Sequence, residues 1–236
     1  MTRRISRRQA LAGAGTISLG ALLAACGGDE DSGGDSQPAG PGTQAEANTS
    51  PRTGARFDDA PSCRLTPEQT EGPFYFDAGS VRSDIRDDRE GAPLLLGVRV
   101  RNAERCDPLP DAVVDVWHCD ALGEYSQSGD PFLRGTQVTD REGVVEFRTV
   151  YPGWYMGRTV HIHAKVHLDR TAVLTTQLYF DDDFTAKVHE REPYASRRGR
   201  DASNASDGIF NESLLLKLSE EGGGYAGLIN LDVESA

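Results

Sequence analysis

Hydrophobic and polar residues alternate along several short segments between residues 94 and 233. Alternation with a period of two places apolar side chains on one face of an extended strand, and turn-forming residues separate these segments. No long segment sustains helical periodicity, and the acidic run at 181–183 is interpreted as a solvated turn. Residues 213–218 fit either a short helix or a strand. We therefore predict an all-β fold, an antiparallel β-sandwich with long loops. The predicted strands cover residues 94–101, 113–119, 136–139, 144–149, 160–168, 173–180 and 225–233.

The N-terminus has the layout of an export signal. Arginine pairs within the first eight residues precede a weakly apolar run at 10–25, which predicts a signal peptide over residues 1–25. The pair Arg7-Arg8 resembles a twin-arginine signal. The run Leu-Ala-Ala-Cys that ends at Cys26 resembles a bacterial lipobox, in which this cysteine is lipidated. We expect an extracytoplasmic, membrane-tethered lipoprotein exported by the twin-arginine route, with an uncleaved membrane anchor as the alternative.

The segment after Cys26 differs in composition from the rest of the chain. Residues 26–60 are rich in Gly, Ser, Asp, Pro and Ala. Such a segment buries too little apolar surface to offset the entropy cost of ordering it, so we predict a disordered tether. The folded domain is predicted over residues 61–236.

The overall charge and hydrophobicity exclude two classes of partner. The chain carries 37 acidic and 25 basic residues, for a net charge of −12. A nucleic-acid partner is excluded because phosphate binding needs a basic surface. Outside the N-terminal segment no apolar run reaches the roughly 18 residues of a membrane span, so the predicted membrane contact is through the lipid anchor alone. The sequence leaves the oligomeric state open.

Three cysteines follow Cys26, and in an oxidising compartment two of them are expected to pair. Cys63 and Cys106 bracket the first segment of the domain, and both lie near prolines. Cys119 lies within an apolar predicted strand, where a buried thiol is more typical. We therefore predict a Cys63–Cys106 disulfide and a free Cys119.

Two histidines lie on one face of the predicted strand at 160–168. His161 and His163 are separated by one residue, so their side chains share a face about 7 Å apart and can converge on a metal. His167 shares the face but lies about 13 Å farther along. Two histidines on a solvent-facing strand give the same pattern, so the pair alone does not define a metal site. A carboxylate such as Glu71 or Asp115 would complete a zinc or Fe(II) centre.

Five short blocks occur in one order along residues 63–182. They are TEGPFY at 70–75, DVWH through GEY at 115–125, PGWY at 152–155, RTVHIH at 158–163 and TTQLYF at 175–180. Together they resemble the motifs of the intradiol ring-cleavage dioxygenases, the family of protocatechuate 3,4-dioxygenase and catechol 1,2-dioxygenase. The resemblance is closer to the protocatechuate type.

This resemblance implies a non-haem Fe(III) enzyme. A catechol-type small molecule and O2 would be its substrates, and a muconate-type diacid its product. Phenolate and imidazole are donors that favour Fe(III) over Fe(II). The four ligands implied by the family motifs are Tyr125, Tyr155, His161 and His163.

The resemblance also implies roles for residues that do not bind the metal. Arg158 would stabilise negative charge that develops beside the substrate ring. Gln177 would orient Arg158 or donate a hydrogen bond near the iron. Pro73 and Phe74 would line the substrate pocket, in one of the active-site loops.

The sequence departs from the family pattern in two places. Tyr155 precedes His161 by only six residues, fewer than is usual in the family, which indicates a more open site and a larger substrate. The short spacing leaves Tyr151 as a rival second tyrosine ligand. Thr159 replaces the usual proline after Arg158, which loosens the backbone constraint on the arginine.

Two other functions stay open on the sequence. One is the zinc or Fe(II) enzyme built on the histidine pair. The other is a non-catalytic lipoprotein whose sandwich binds a ligand. Colour separates the first from the Fe(III) enzyme, because tyrosinate bound to Fe(III) absorbs visible light and zinc protein is colourless.

Overall fold

The computed structural model describes Phe57 and residues 63–234. The predicted signal peptide, Cys26 and nearly all of the predicted tether lie outside the described residues. Two short 3-10 turns, Tyr194–Ser196 and Glu212–Leu214, accompany the helix and strands. In chain order the strands and the helix are β1 (Pro93–Asn102), β2 (Val113–Trp117), β3 (Arg134–Val138), β4 (Val144–Val150), β5 (His161–Leu168), β6 (Thr171–Tyr179), α1 (Asp182–His189), β7 (Lys217–Glu221) and β8 (Gly224–Val233).

The strands form two four-stranded sheets, ordered β4-β1-β8-β7 and β3-β2-β5-β6. Buried side chains of both sheets, such as Leu96 of β1, Val116 of β2 and Ile162 of β5, belong to one hydrophobic cluster between them. The predicted all-β sandwich is confirmed. One strand pair departs from the predicted antiparallel arrangement, because β1 and β8 run parallel. These strands are far apart in the sequence, so no tight hairpin fixes their relative direction, and the alternation of residues is the same in either direction.

The seven predicted strands are all present, with ends that differ by a few residues. The ambiguous segment 213–218 divides into the end of a 3-10 turn and the start of β7. Helix α1 was not predicted. The Asp181 carboxylate accepts a hydrogen bond from the Phe184 amide at 2.8 Å and caps the helix, whose first turn is acidic. Among the described residues no helix has the length and apolar character needed to cross a membrane.

Strand β5 determines where the site forms. Ile162, Ala164 and other inward residues face the core, so His161 and His163 lie on the outer face of the sheet. Both histidines are nevertheless buried. The outer face is therefore covered by other parts of the chain.

Residues 63–80, called here the strap, supply part of this cover. The backbone N–H of Gln69 donates to the Thr175 carbonyl of β6 at 2.8 Å. The side-chain amide of Gln177 donates to the Thr70 carbonyl at 2.8 Å. These bonds hold the strap across the end of β6. Its next residues thereby reach the histidines of β5.

The strap begins at a disulfide. Cys63 joins Cys106 in the connection between β1 and β2, with the two Cα atoms 5.5 Å apart. The Thr66 amide donates to the Asp232 carbonyl of β8 at 2.9 Å. These bonds fasten the start of the strap to the first sheet. Cys119 is free and buried.

Candidate metal centre

The centre starts from the two histidines of β5. Their Nε2 atoms lie 3.2 Å apart. The Nδ1 atom of His161 lies 2.7 Å from the Thr159 carbonyl, which only accepts, so Nδ1 carries the proton and the Nε2 lone pair is available. Two donors that bind one metal at roughly 2.1 Å lie about 3.0–3.4 Å apart. The spacing of the two Nε2 atoms therefore suits a shared metal.

Two tyrosines complete the cluster. The Tyr155 hydroxyl lies 3.4 Å from Nε2 of His161. The Tyr125 ring centroid is 5.4 Å from that of Tyr155 and 6.1 Å from that of His163. The structure thus brings together the four predicted ligands, which come from the β2–β3 loop, the β4–β5 loop and β5.

The two tyrosine loops touch each other through glycines. A Cβ atom on Gly153 would lie 2.3 Å from the Ala121 carbonyl oxygen, and one on Gly123 would lie 2.1 Å from the Trp154 carbonyl oxygen. Gly123 also has a φ of +81°, which disfavours other residues. Only glycine allows this approach. The contact brings together the two loops that carry Tyr125 and Tyr155.

Burial keeps all four side chains neutral in the absence of a cation. It lowers the pKa of His161 to about 4 and the pKa of His163 well below its usual value. It also raises the pKa of Tyr125 well above, and that of Tyr155 above, the ordinary tyrosine value. The imidazoles therefore keep free lone pairs at neutral pH. A multivalent cation at this point would favour loss of the phenol protons.

The Tyr125 hydroxyl tests whether the cluster fits a metal. It is buried and has no hydrogen-bond partner of ordinary geometry in the part of the chain that the structure describes. Leaving a buried hydroxyl unpaired is costly, about 1–3 kcal/mol. A metal bound between the two histidines and Tyr155 would give this oxygen a partner. The donor set therefore fits a bound metal ion.

The carboxylates considered for a zinc or Fe(II) centre are bonded elsewhere. Glu71 forms an ion pair with Lys165. Asp115 accepts from Thr136 at 2.5 Å and lies 3.0 Å from Nε2 of His167. Across the described residues, no three His, Cys, Asp or Glu side chains form a group that could hold a metal. The centre therefore rests on tyrosine and histidine donors.

Tyr151, the rival ligand, lies in the hydrophobic core. Its ring packs on Phe180 with centroids 4.4 Å apart, and its hydroxyl lies 2.8 Å from the Thr185 hydroxyl. It is fully buried within the cluster between the sheets. The structure therefore places Tyr155, not Tyr151, beside the histidines.

Arg158 and Gln177 lie next to the cluster. An Arg158 guanidinium nitrogen donates to Oε1 of Gln177 at 2.5 Å. The same oxygen accepts from the Tyr179 hydroxyl at 3.1 Å. Gln177, anchored on the strap carbonyl described above, therefore orients the arginine.

The predicted substrate-side residues lie beside Tyr125 and are exposed. Phe74 stacks on Tyr125, with centroids 4.2 Å apart and planes 8° from parallel, and is 38% exposed. Pro73 is exposed beside it. Met156, which follows Tyr155, is 79% exposed. These exposed apolar side chains, called here the rim, lie next to the two tyrosines in space or in sequence.

Three further residues were missed by the sequence reasoning as parts of the site. Trp117 is buried, and its ring stacks on His163 with centroids 4.8 Å apart. Arg134 is buried and donates to the Phe74 carbonyl at 2.6 Å and to Oγ of Ser126 at 2.5 Å, which ties the strap to the loop that carries Tyr125. Asp207 binds Arg158. Trp117 lies in the block at 115–125, whereas Arg134 and Asp207 lie outside all five blocks, and nothing in the sequence indicated these contacts.

Comparisons with known proteins identify related sequences and structures. Residues 69–190 match the family model described as "Dioxygenase" (Dioxygenase_C). A catechol 1,2-dioxygenase of Pseudomonas sp. (strain EST1001) is 30% identical over 199 residues, which cover 66% of this chain and 65% of the relative. An intradiol ring-cleavage dioxygenase from Tetranychus urticae has a TM-score of 0.70 at 30% identity, covering 73% of this chain and 95% of that one. The dioxygenase domain of a carbohydrate-binding fusion from Streptomyces sp. SirexAA-E has a TM-score of 0.60 at 32% identity, covering 73% and 99%.

The family match covers more than half of the chain, and the chain therefore belongs to the intradiol ring-cleavage dioxygenase family. It spans between about half and two thirds of the length of the catechol 1,2-dioxygenases that it matches. The closer resemblance to the protocatechuate type stays a prediction.

Proposed function

We propose that the protein is a non-haem Fe(III) intradiol dioxygenase. It uses O2 to open a catechol-type ring between the two hydroxyl-bearing carbons and forms a muconate-type diacid. The observation that carries the proposal is the cluster in which the Tyr155 hydroxyl and the Nε2 atoms of His161 and His163 lie within 3.4 Å of a neighbour, with the Tyr125 ring beside them.

The charges of the donors suit this metal. Two phenolates would offset two of the three positive charges of Fe(III), and the imidazoles would bind as neutral donors. Bound Fe(III) supplies the chemistry that activates the catechol ring toward O2. Burial raises the pKa of Tyr155, and the positive charge of Arg158 lowers it by a smaller amount. The arginine therefore helps the Tyr155 hydroxyl to give up its proton.

The surrounding residues bind and orient the substrate. The aromatic face of Phe74 and the exposed side chain of Met156 offer apolar contact to a ring that approaches the centre. Arg158, held by Gln177, presents positive charge where negative charge develops on the ring. The exposed rim supports a catechol that carries a bulky substituent.

Oxygen uptake by metal-loaded protein tests the proposal. The Fe(III) form should be coloured and should consume one O2 per catechol opened, across a panel of catechol, hydroxyquinol and protocatechuate. The zinc-loaded form serves as the control and should be colourless and inactive. Equal turnover by the zinc form, or a colourless and inactive iron form, would contradict the proposal.

We also propose that the domain is exported and tethered to a membrane by lipid on Cys26. The Cys63–Cys106 disulfide supports an oxidising compartment. Cys26→Ala should move the protein from the membrane fraction to the soluble fraction and leave its disulfide intact. An unchanged membrane fraction would contradict lipidation at this cysteine.

A further inference from the structure

Residues 204–210, called here the closing loop, lie beyond the segment 69–190 that the family model covers. They nevertheless pack against the candidate site. The Asn204 side chain donates to the Phe180 carbonyl at 2.8 Å. The Phe210 ring packs on Tyr179, with centroids 5.1 Å apart, and the Tyr179 hydroxyl oxygen lies 3.3 Å from the Ile209 carbonyl oxygen. The closing loop is thereby anchored beside Gln177 and Arg158.

Asp207 is the charged residue of the closing loop, and its side chain is only 2% exposed. Its Oδ2 accepts from Nε of Arg158 at 2.8 Å and from the Thr159 amide at 3.0 Å. Its Oδ1 accepts from the Ile209 amide at 3.0 Å. Burial opposes ionisation, but hydrogen bonds from the backbone N–H groups of Thr159 and Ile209, together with Arg158, hold the pKa of Asp207 below its usual value. The carboxylate is therefore an anion with defined partners on both oxygens.

Thr159 makes this arrangement possible. Proline has no N–H, so the usual residue of the family at this position could not donate to Asp207. The Thr159 hydroxyl also donates to Oδ1 of Asn204 at 2.6 Å. The threonine that loosens the backbone constraint on Arg158 thus provides two bonds to the closing loop. These two hydrogen bonds restrain the backbone at residue 159, where the family usually has the ring of a proline.

The guanidinium of Arg158 is consequently held on two sides. Asp207 binds Nε, and Gln177 accepts from one of the terminal nitrogens at 2.5 Å. Because the N–H groups of a guanidinium are coplanar, two such contacts restrict its rotation. They fix the orientation of the remaining N–H groups relative to Tyr155 and the centre.

We propose that Asp207 is the positioning residue for Arg158, so that the closing loop is a working part of the active site. This inference rests on the proposed function, because the arginine acts on charge in the substrate ring. Asp207 has two opposing effects on that charge. It orients the arginine, which favours turnover, and its own negative charge partly cancels the arginine's field, which opposes turnover. We expect orientation to dominate, since a displacement of about 1 Å in a reacting group costs about 100-fold in rate.

Asp207→Asn tests the proposal in the iron-loaded full chain. The new amide has one acceptor oxygen: if this oxygen faces Arg158 and Thr159, the NH2 group opposes the Ile209 amide and displaces the closing loop, and if it faces Ile209, the NH2 group opposes Arg158. Turnover should fall about 10- to 100-fold, with iron content and KM for catechol nearly unchanged. Asp183→Asn makes the same change on an exposed residue of α1 and should leave turnover within about twofold.

A double-mutant cycle separates positioning from a general structural role. If Asp207 acts through Arg158, then Asp207→Asn should change the turnover of the Arg158→Ala enzyme by less than about twofold. A full additional loss in that background would overturn the proposal. Faster turnover of the single Asp207→Asn variant would also overturn it, because the charge effect would then dominate.

A spectroscopic measurement tests the contact without turnover. In protein loaded with Ga(III), a diamagnetic substitute for Fe(III), the Nε–H resonance of Arg158 should be resolved and slow to exchange with water. Asp207→Asn should shift the resonance and speed its exchange, whereas Asp183→Asn should not. If Asp207→Asn does not fold, Asp207→Ala with added formate should recover the slow exchange, and equal chloride should not. An unprotected resonance in the unaltered protein would overturn the proposal even if the enzyme opens catechol, and an inactive enzyme with a protected resonance would refute only the proposed function.

Discussion

Gly153→Ala perturbs the contact between the two tyrosine loops. The new Cβ atom would lie 2.3 Å from the Ala121 carbonyl oxygen and 2.8 Å from the Asp120 carbonyl oxygen. Side-chain carbon atoms normally stay at least 3.0 Å from such atoms, so the loops must separate by about 1 Å. Both obstructing atoms belong to the backbone, which cannot rotate away as a side chain could. Overpacking of this kind costs about 1–3 kcal/mol of stability.

The displacement should appear as a loss of metal binding. Tyr155 lies two residues after Gly153, and Tyr125 follows Ala121 in the opposing loop. A shift of about 1 Å between the loops therefore changes the distance between the two tyrosine oxygens. Disturbing the support of a metal ligand typically lowers metal affinity about 10- to 100-fold.

Competition with a metal chelator measures this change, and thermal unfolding reports stability in the same samples. Gly129→Ala is the matched control, because a Cβ atom there has no neighbour within 4 Å. It should leave both quantities close to those of the unaltered protein. If Gly153→Ala holds iron as tightly as Gly129→Ala does, the loop contact does not set the geometry of the centre.

Three further results are expected. Tyr155→Phe should weaken iron retention and shift the visible absorption band. Tyr151→Phe should leave the band in place, because Tyr151 lies in the core. The reverse pattern in the absorption spectra would exchange the roles of the two tyrosines. Arg158→Ala should keep iron and colour but lower kcat by about two to three orders of magnitude, with KM less affected; near-normal kcat would exclude its proposed role. Burial lowers the pKa of His118 to about 4 in the folded protein. In the unfolded chain this histidine binds a proton once the pH falls below about 6.5, which favours unfolding. Stability should therefore fall by about 2 kcal/mol between pH 7 and pH 5 on account of this group, and unfolding titrations of His118→Gln should show a smaller loss.

The sandwich followed from the sequence because each strand carries its own pattern. The alternation around Ile162 placed His161 and His163 on one face, and the structure has them there. The parallel pairing of β1 with β8 could not be predicted, because alternation records which face is buried and not which strand lies alongside. Helix α1 was missed because its eight residues carry a short apolar stripe, although Asp181 and the acidic first turn were signals of a helix start.

The site was predictable as far as the motifs extend. The four ligand candidates came from the family resemblance, and the structure brings them together. Burial of the outer face was not predictable, since it depends on where the strap and loops lie. Asp207 was missed for the same reason, because its partner Arg158 lies 49 residues earlier in the sequence and no periodic pattern connects them.

Resonance Raman spectroscopy of the Fe(III)-loaded protein tests the central claim most directly. Excitation into the visible band enhances vibrations of tyrosinate bound to iron, so it reports which side chains bind the metal. Two sets of tyrosinate vibrations should appear, one of them absent in Tyr125→Phe and the other in Tyr155→Phe, and both retained in Tyr151→Phe. A spectrum without tyrosinate vibrations, or one that Tyr125→Phe and Tyr155→Phe leave unchanged, would contradict a centre built from these two tyrosines and the histidines of β5.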